Sequence, residues 1–266
     1  MTTAFDEVIA VRGLGTPSAD EVTITGADPV VSTRFKIGET AAAVLGGIGV
    51  AVNDIWELKT GERQKATVDV RHAAAALRST GYLQRPGPDG AFKTIVNPAH
   101  EKMMQVTQPY PTKDGRHVLP HFNLPHLQAR MLKLLDCELT PASIAPAVAK
   151  WDAMDLENAI DEIRTCGGMV RSNDEWLATP HGQVLAAKPI VEIIKIGDSD
   201  PEPMPEGPRP LSGIKALDLT RILAGPISGR TLAEHGAEVL MVTAERLPQV
   251  PEHVIDTSHG KRSCFL

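Results

Sequence analysis

The side chains able to do chemistry in this sequence stand in a few short clusters. Lys261 and Arg262 set two cations side by side after Gly260, a pair that can hold phosphates and that also suits a solvated charged edge. Glu39 follows Gly38 at the head of a long apolar stretch, where a carboxylate meets the positive end of a helix dipole. His117, His121 and His126 are close in sequence, but prolines intervene and no carboxylate pattern accompanies them, so no metal is expected. Gly13-x-Gly15 follows the apolar Val8 to Val11, yet Pro17 and the strand-like Val22 to Ile24 occupy the place where a dinucleotide fold needs a helix. That segment reads as a loop. Asp69, Arg71 and His72 precede a helix and suit capping, and Arg246 reads as an exposed loop arginine.

Three regions must position these groups. The first, 1–100, opens with the alternation of EVTITGADPVV, a half-buried strand, and continues into a helix predicted from Gly38 to Leu58. Gly46, Gly47 and Gly49 inside that helix each cost about 1 kcal/mol against Ala, so another backbone is expected to pack very close there. Gly61 ends the helix, Ala66 to Val70 is a strand, and a further helix begins at Arg71. The second region, 101–196, pairs two strands around an Asp114-Gly115 turn and follows them with amphipathic helices at Leu127 to Leu135 and Leu156 to Arg164, a small α+β domain. Five prolines between Pro201 and Pro210 then mark 197–210 as a linker, extended at about 3.1 Å per residue. The third region, 211–266, runs strand (Ile214 to Leu219), turn, helix with Pro226 in its first turn and Gly236 at its end, strand (Glu238 to Val242), and GKRSCFL as the start of another strand. This is a βαβ unit whose parallel sheet is unfinished, and it predicts an α/β protein.

Composition narrows the function. The chain has 266 residues, 42% of them apolar, enough for one large domain or two ordinary ones. A net charge of -6 provides no general field for a nucleic acid. No cationic segment followed by an apolar one opens the chain, and the apolar run Ala41 to Val52 is too short to span a bilayer, so a cytoplasmic protein without a membrane partner is expected. Cys137, Cys166 and Cys264 form no CxxC pair and read as buried or incidental thiols.

With those elements placed, the third region resembles the opening of the class III CoA-transferases, the CaiB/BaiF group that includes formyl-CoA transferase and α-methylacyl-CoA racemase. The resemblance rests on Leu217-Asp218-Leu219, Ala224-Gly225-Pro226, Leu232-Ala233-x-x-Gly236-Ala237 and Gly260-Lys261-Arg262-Ser263. The first region resembles a later part of the same family through Gly38-Glu39, the glycine-containing helix, Lys59-Thr60-Gly61 with Gln64, and the strand after it. Tyr110 and Asp114-Gly115 match the opening of the family's small domain. The order is permuted, the family's beginning standing behind the linker, which suggests a tandem relative and a chain that is part of a longer polypeptide.

The resemblance implies a parallel, Rossmann-like sheet portion beside a smaller α+β domain, and an enzyme that moves CoA between an acyl-CoA and a carboxylic acid. In that chemistry a carboxylate attacks the acyl thioester, forms a mixed anhydride and is itself converted to an enzyme-bound thioester. The family's aspartate falls at Glu39, whose extra methylene moves the oxygen by about 1 Å. CoA would lie along the turn Arg221, Ile222, Leu223, Ala224, where Leu223 replaces a polar residue, and near Lys261 and Arg262. No permanent cofactor or metal is implied, and family members form interlocked homodimers. Two alternatives stay open: a non-catalytic CoA-binding or structural half, and an acyl-CoA racemase, for which nothing beside Glu39 supplies a histidine.

Overall fold

In the computed structural model, residues 3–247 and 249–266 are described. The chain divides into two units, Met1–Ile95 with Val191–Leu266, and Val96–Ile190. The first and third regions of the sequence therefore build one unit, and the second builds the other.

The first unit starts with helix α1 (Ala4–Ala10), where Thr3 and Asp6 form a reciprocal cap. After strand β1 (Val22–Thr25) comes helix α2 (Ile37–Thr60), closed by Gly61 at φ 78°. Its glycines admit side chains rather than the backbone expected from the sequence. A Cβ on Gly47 would stand 2.5 Å from Val8 Cγ1, and one on Gly46 would stand 3.1 Å from the Phe5 ring. Helix α1, which the sequence pattern did not reveal, sits in that notch.

Strand β2 (Ala66–Asp69) pairs in parallel with β1, so β1, α2 and β2 form a βαβ unit. Asp69 caps α3 (Val70–Ala76) by accepting from the amides of Arg71 and His72. A 3-10 turn at Ser79–Tyr82 and the hairpin β3 (Gln84–Pro86) and β4 (Phe92–Thr94) follow. Beneath α2, Arg63 binds Glu21, Asp54 and Glu57, while Arg12 also binds Asp54. By length and composition α2 is able to cross a bilayer, since the helix extends on both sides of the run read as too short. In this fold its small residues pack on α1, β1, β2 and α3, and Asn53 buries a hydrogen bond to Glu21.

The second unit contains α4 (Pro98–Val106), β5 (Tyr110–Pro111), β6 (His117–Pro120), α5 (Pro125–Leu135), α6 (Pro141–Val148), α7 (Ala153–Glu162), β7 (Gly167–Met169), α8 (Asn173–Leu177) and α9 (Pro180–Ala186). Strands β5, β6 and β7 form an antiparallel sheet in that order. Phe122, Met131, Ile144, Leu156 and Ile160 are fully buried and make one core. Gly115 at φ 75° closes the β5–β6 turn, as the Asp114-Gly115 pair predicts.

The chain then returns to the first unit. Strand β8 (Lys215–Asp218), helix α10 (Ala224–Glu234), strand β9 (Glu238–Thr243), helix α11 (Pro251–Thr257) and strand β10 (Lys261–Phe265) form a parallel three-stranded sheet in the order β10-β9-β8. GKRSCFL thus supplies strand β10, which pairs in parallel with β9. This layer is tied to the first region by Ser79 Oγ, which donates to Asp256 at 2.7 Å, and by Lys59 Nζ, which donates to the carbonyls of Arg209, Pro210 and Ser212.

Candidate functional site

Strand alternation turns Asp218, the last residue of β8, toward α10, and Asp218 organises the turn that follows. Its Oδ1 accepts from the Thr220 amide at 3.0 Å and the Thr220 hydroxyl at 2.5 Å; its Oδ2 accepts from Lys261 Nζ at 2.8 Å. Lys261 donates a second bond to the Pro226 carbonyl at 2.7 Å. One lysine on β10 therefore joins the end of β8 to the first turn of α10. The side chains are 0% exposed for Lys261 and 4% for Asp218, so the pair is buried. Burial is the largest single influence on Asp218 and pushes its carboxyl upward, but the bonds from Lys261 and Thr220 together outweigh it and hold the group below the ordinary range.

Two glycines of α10 make this arrangement possible. A Cβ on Gly229 would stand 2.5 Å from Asp218 Oδ2, and one on Gly225 would stand 2.4 Å from Thr220 Cβ. The helix can thus rest directly on the polar network. The turn it holds is strained: Ile222 lies at φ 71°, a left-handed conformation that a β-branched residue rarely adopts, at a cost of about 1–3 kcal/mol. Such strain persists only where surrounding contacts over-determine it. Leu223 then precedes α10 without any side-chain cap.

The expected cofactor residues divide accordingly. Arg221, Ile222, Leu223 and Ala224 form the turn and the helix start. Lys261 and Arg262 do not form one basic patch, because neighbours on a strand point to opposite faces. Lys261 is interior, engaged with Asp218 and Pro226, whereas Arg262 is exposed and lies level with Leu240 and Leu217 on the outer face.

Glu39 sits in the first turn of α2 and forms a reciprocal cap with a residue eleven positions earlier. Asp28 Oδ2 accepts from the Glu39 amide at 2.8 Å and Asp28 Oδ1 from the Gly38 amide at 3.2 Å, while Glu39 Oε1 accepts from the Asp28 amide at 3.2 Å. Glu39 Oε2 accepts from Lys36 Nζ at 2.8 Å. The bond from Lys36, then that from the Asp28 amide, holds the Glu39 carboxyl below its usual range, so it is ionised at neutral pH. A Cβ on Gly38 would stand 2.6 Å from Val70 Cγ1, which accounts for the glycine before it.

Other clusters stay outside this site. No group of three or more potential metal ligands occurs among the described residues, the three histidines included. Gly13 and Gly15 have positive φ in a loop after α1. Sequence reasoning missed Asp218 and Thr220. The available signal was a carboxylate in phase with Ala216 on the inward face of a strand.

The family model for CoA-transferase family III matches residues 211–261, the segment from before β8 to the first residue of β10. An acetyl-coenzyme A transferase, nodX of Hypoxylon pulicicidum, is 34% identical over 90% of this chain and 46% of its own length. An acyl-CoA transferase of Gibberella moniliformis is 37% identical over 98% of this chain and 52% of its own length. Residues 211–261 therefore belong to CoA-transferase family III. The chain spans about half the length of these relatives. Both matches extend over nearly the whole chain, well beyond residues 211–261. Among solved structures, Rv3272 from M. tuberculosis is similar with a TM-score of 0.43 and 13% identity, over 69% of this chain and 49% of that one.

Proposed function

We propose that the chain takes part in CoA transfer from an acyl-CoA to a carboxylic acid and that its own share is to hold coenzyme A. The observation that carries this reading is the strained turn at Ile222, which follows directly on Thr220 and its bonds to the buried Asp218–Lys261 pair, inside the segment that matches the family. Energy stored in a backbone conformation is usually found at functional sites. The turn ends at a helix start without a side-chain cap, whose amides favour anionic groups. Arg262, the solvent-facing member of the basic pair, is assigned to a phosphate, and Lys261 is assigned to positioning.

In the transfer reaction an enzyme carboxylate attacks the thioester carbonyl and expels CoA as thiolate, leaving a mixed anhydride. The thiolate then attacks the enzyme's own acyl carbon, releasing the first acid and leaving CoA on the enzyme as a thioester. The acceptor carboxylate attacks that thioester to form a second anhydride, and the thiolate takes up the new acyl group. By resemblance alone, Glu39 is the residue assigned to the position of this carboxylate. A second reading, in which this chain is the non-catalytic half, is favoured by one observation: both oxygens of Glu39 are engaged in holding the start of α2. A homodimer is part of the proposal, supported by the exposed outer face at Leu217 and Leu240.

Calorimetry with CoA tests the assignment. Wild type is expected to bind, salt to weaken the binding, and Arg262→Ala to weaken it further. Gly225→Val, which drives a side chain into Thr220, is expected to abolish it. Absence of binding in wild type, or equal affinity in Gly225→Val, would overturn the reading.

A further inference from the structure

Within the first unit a cavity of about 650 Å³ lies between α2, α3 and α10. Its walls are mostly apolar, with Val44, Leu45 and Ile48 from α2, Leu77 after α3, and Leu223 and Ile227 at the start of α10, and polar groups at the margins of these elements, Thr231 and Ser79 among them. Several of these are strongly exposed, Val44 at 45% and Leu77 at 64%, so a concave apolar surface faces water. Ligand sites are typically concavities of roughly 300–1,000 Å³ with apolar walls and a few polar groups.

Leu223 belongs both to this wall and to the turn assigned to CoA. Lys36 and Thr40, which flank Glu39, line the same cavity. A thioester held by the turn would therefore have apolar space beside its acyl carbon. The charges around the cavity decide what kind of chain fits. The Arg230 guanidinium at the wall is bound to Asp256 at 3.0 Å and Glu234 at 3.2 Å, and Lys36 is bound to Glu39. No cation on this wall is left unpaired for a second carboxylate, so the fitting occupant is an uncharged aliphatic chain. At about 30 Å³ for each heavy atom, the volume of a liquid water, the space admits roughly twenty atoms.

We propose that this cavity receives the acyl group of the acyl-CoA and selects medium to long aliphatic chains over acetyl. The proposal rests on the reading that the chain holds CoA, and it deepens that reading by naming the acyl class. In it the turn recognises the CoA portion, and the cavity contributes affinity for each methylene it removes from water.

The test measures affinities of the full chain for CoA, acetyl-CoA, octanoyl-CoA and dodecanoyl-CoA by calorimetry, and for dodecanoate alone by displacement of the fluorescent fatty acid 11-(dansylamino)undecanoate. Affinity is expected to rise about two- to four-fold for each added methylene from acetyl upward. Val44→Trp and Leu45→Trp, both at exposed wall positions, fill the cavity and are expected to reduce dodecanoyl-CoA to the affinity of acetyl-CoA while leaving CoA itself unchanged. Circular dichroism confirms that at least one of the two is folded. Equal affinity for all chain lengths would overturn the proposal, as would a Trp variant that weakens CoA and acyl-CoA alike. A Trp variant that dissociates a dimer would assign the cavity to a second copy of the chain and also overturn it. If no CoA species binds but dodecanoate displaces the probe in wild type and not in the Trp variants, the cavity stands as an aliphatic-chain site and the CoA reading falls. Failure of dodecanoate to displace, together with failure of every acyl-CoA, overturns both.

Discussion

Removal of one partner from the Asp218–Lys261 pair should disable the layer that carries the proposed CoA turn. At 2.8 Å, and with an effective dielectric of about 20, the attraction is on the order of 6 kcal/mol before desolvation is counted. Both side chains are essentially inaccessible to water, so most of that attraction offsets the cost of burying two charges. The pair is therefore of modest net value, yet either member alone is strongly unfavourable. Lys261→Met leaves Asp218 buried without its cation and the Pro226 carbonyl without its second donor, and is expected to cost about 3–5 kcal/mol.

Asp218→Ala strands the lysine and should cost a similar amount, whereas the double variant should cost less than the sum of the two. Hydrogen exchange read on peptides covering β8 and α10 measures these opening free energies where they arise. The pH dependence follows from the depressed Asp218 carboxyl. Its folded pKa lies below the unfolded value of about 3.9, so the contribution is fully present above that value and is lost as pH falls through the folded pKa. Denaturant titrations from pH 6 to 3 should show that loss in wild type and not in Asp218→Ala. A cost below about 1 kcal/mol for Lys261→Met, with additive single effects, would refute the reasoning.

Two further outcomes are expected. Incubation with an acyl-CoA should leave no hydroxylamine-sensitive thioester on the peptide containing Gly38-Glu39, since both Glu39 oxygens are held in the cap; mass spectrometry of such an adduct, absent in Glu39→Gln, would make Glu39 the nucleophile instead. Gly47→Val places a branched side chain into Val8 and should cost about 1–3 kcal/mol by overpacking, seen as faster exchange in α1 with β9 unchanged.

Local pattern carried much of this protein. The helix from Gly38, the Gly61 stop, the Asp114-Gly115 turn and the strand-turn-helix-strand of the third region all follow from periodicity and from residues whose backbone preferences act within a few positions. The family was legible for the same reason, its motifs being short and contiguous. Helix α1 was not legible, because its seven residues are too few for periodicity and what steadies it is a notch between Gly46 and Gly47, some forty residues away.

The site divided along the same line. Sequence alone determined that Lys261 and Arg262 are adjacent cations and that Ile222 lies in a turn. Only the tertiary structure decided that one cation is sealed beneath α10 and the other faces water, because the face a strand turns inward depends on which helix covers it. The strain at Ile222 is likewise visible only in the tertiary structure: no property of isoleucine favours φ 71°, and the turn that contains it lies beside a meeting of Asp218, Thr220 and Lys261 with two close-packed glycines of α10.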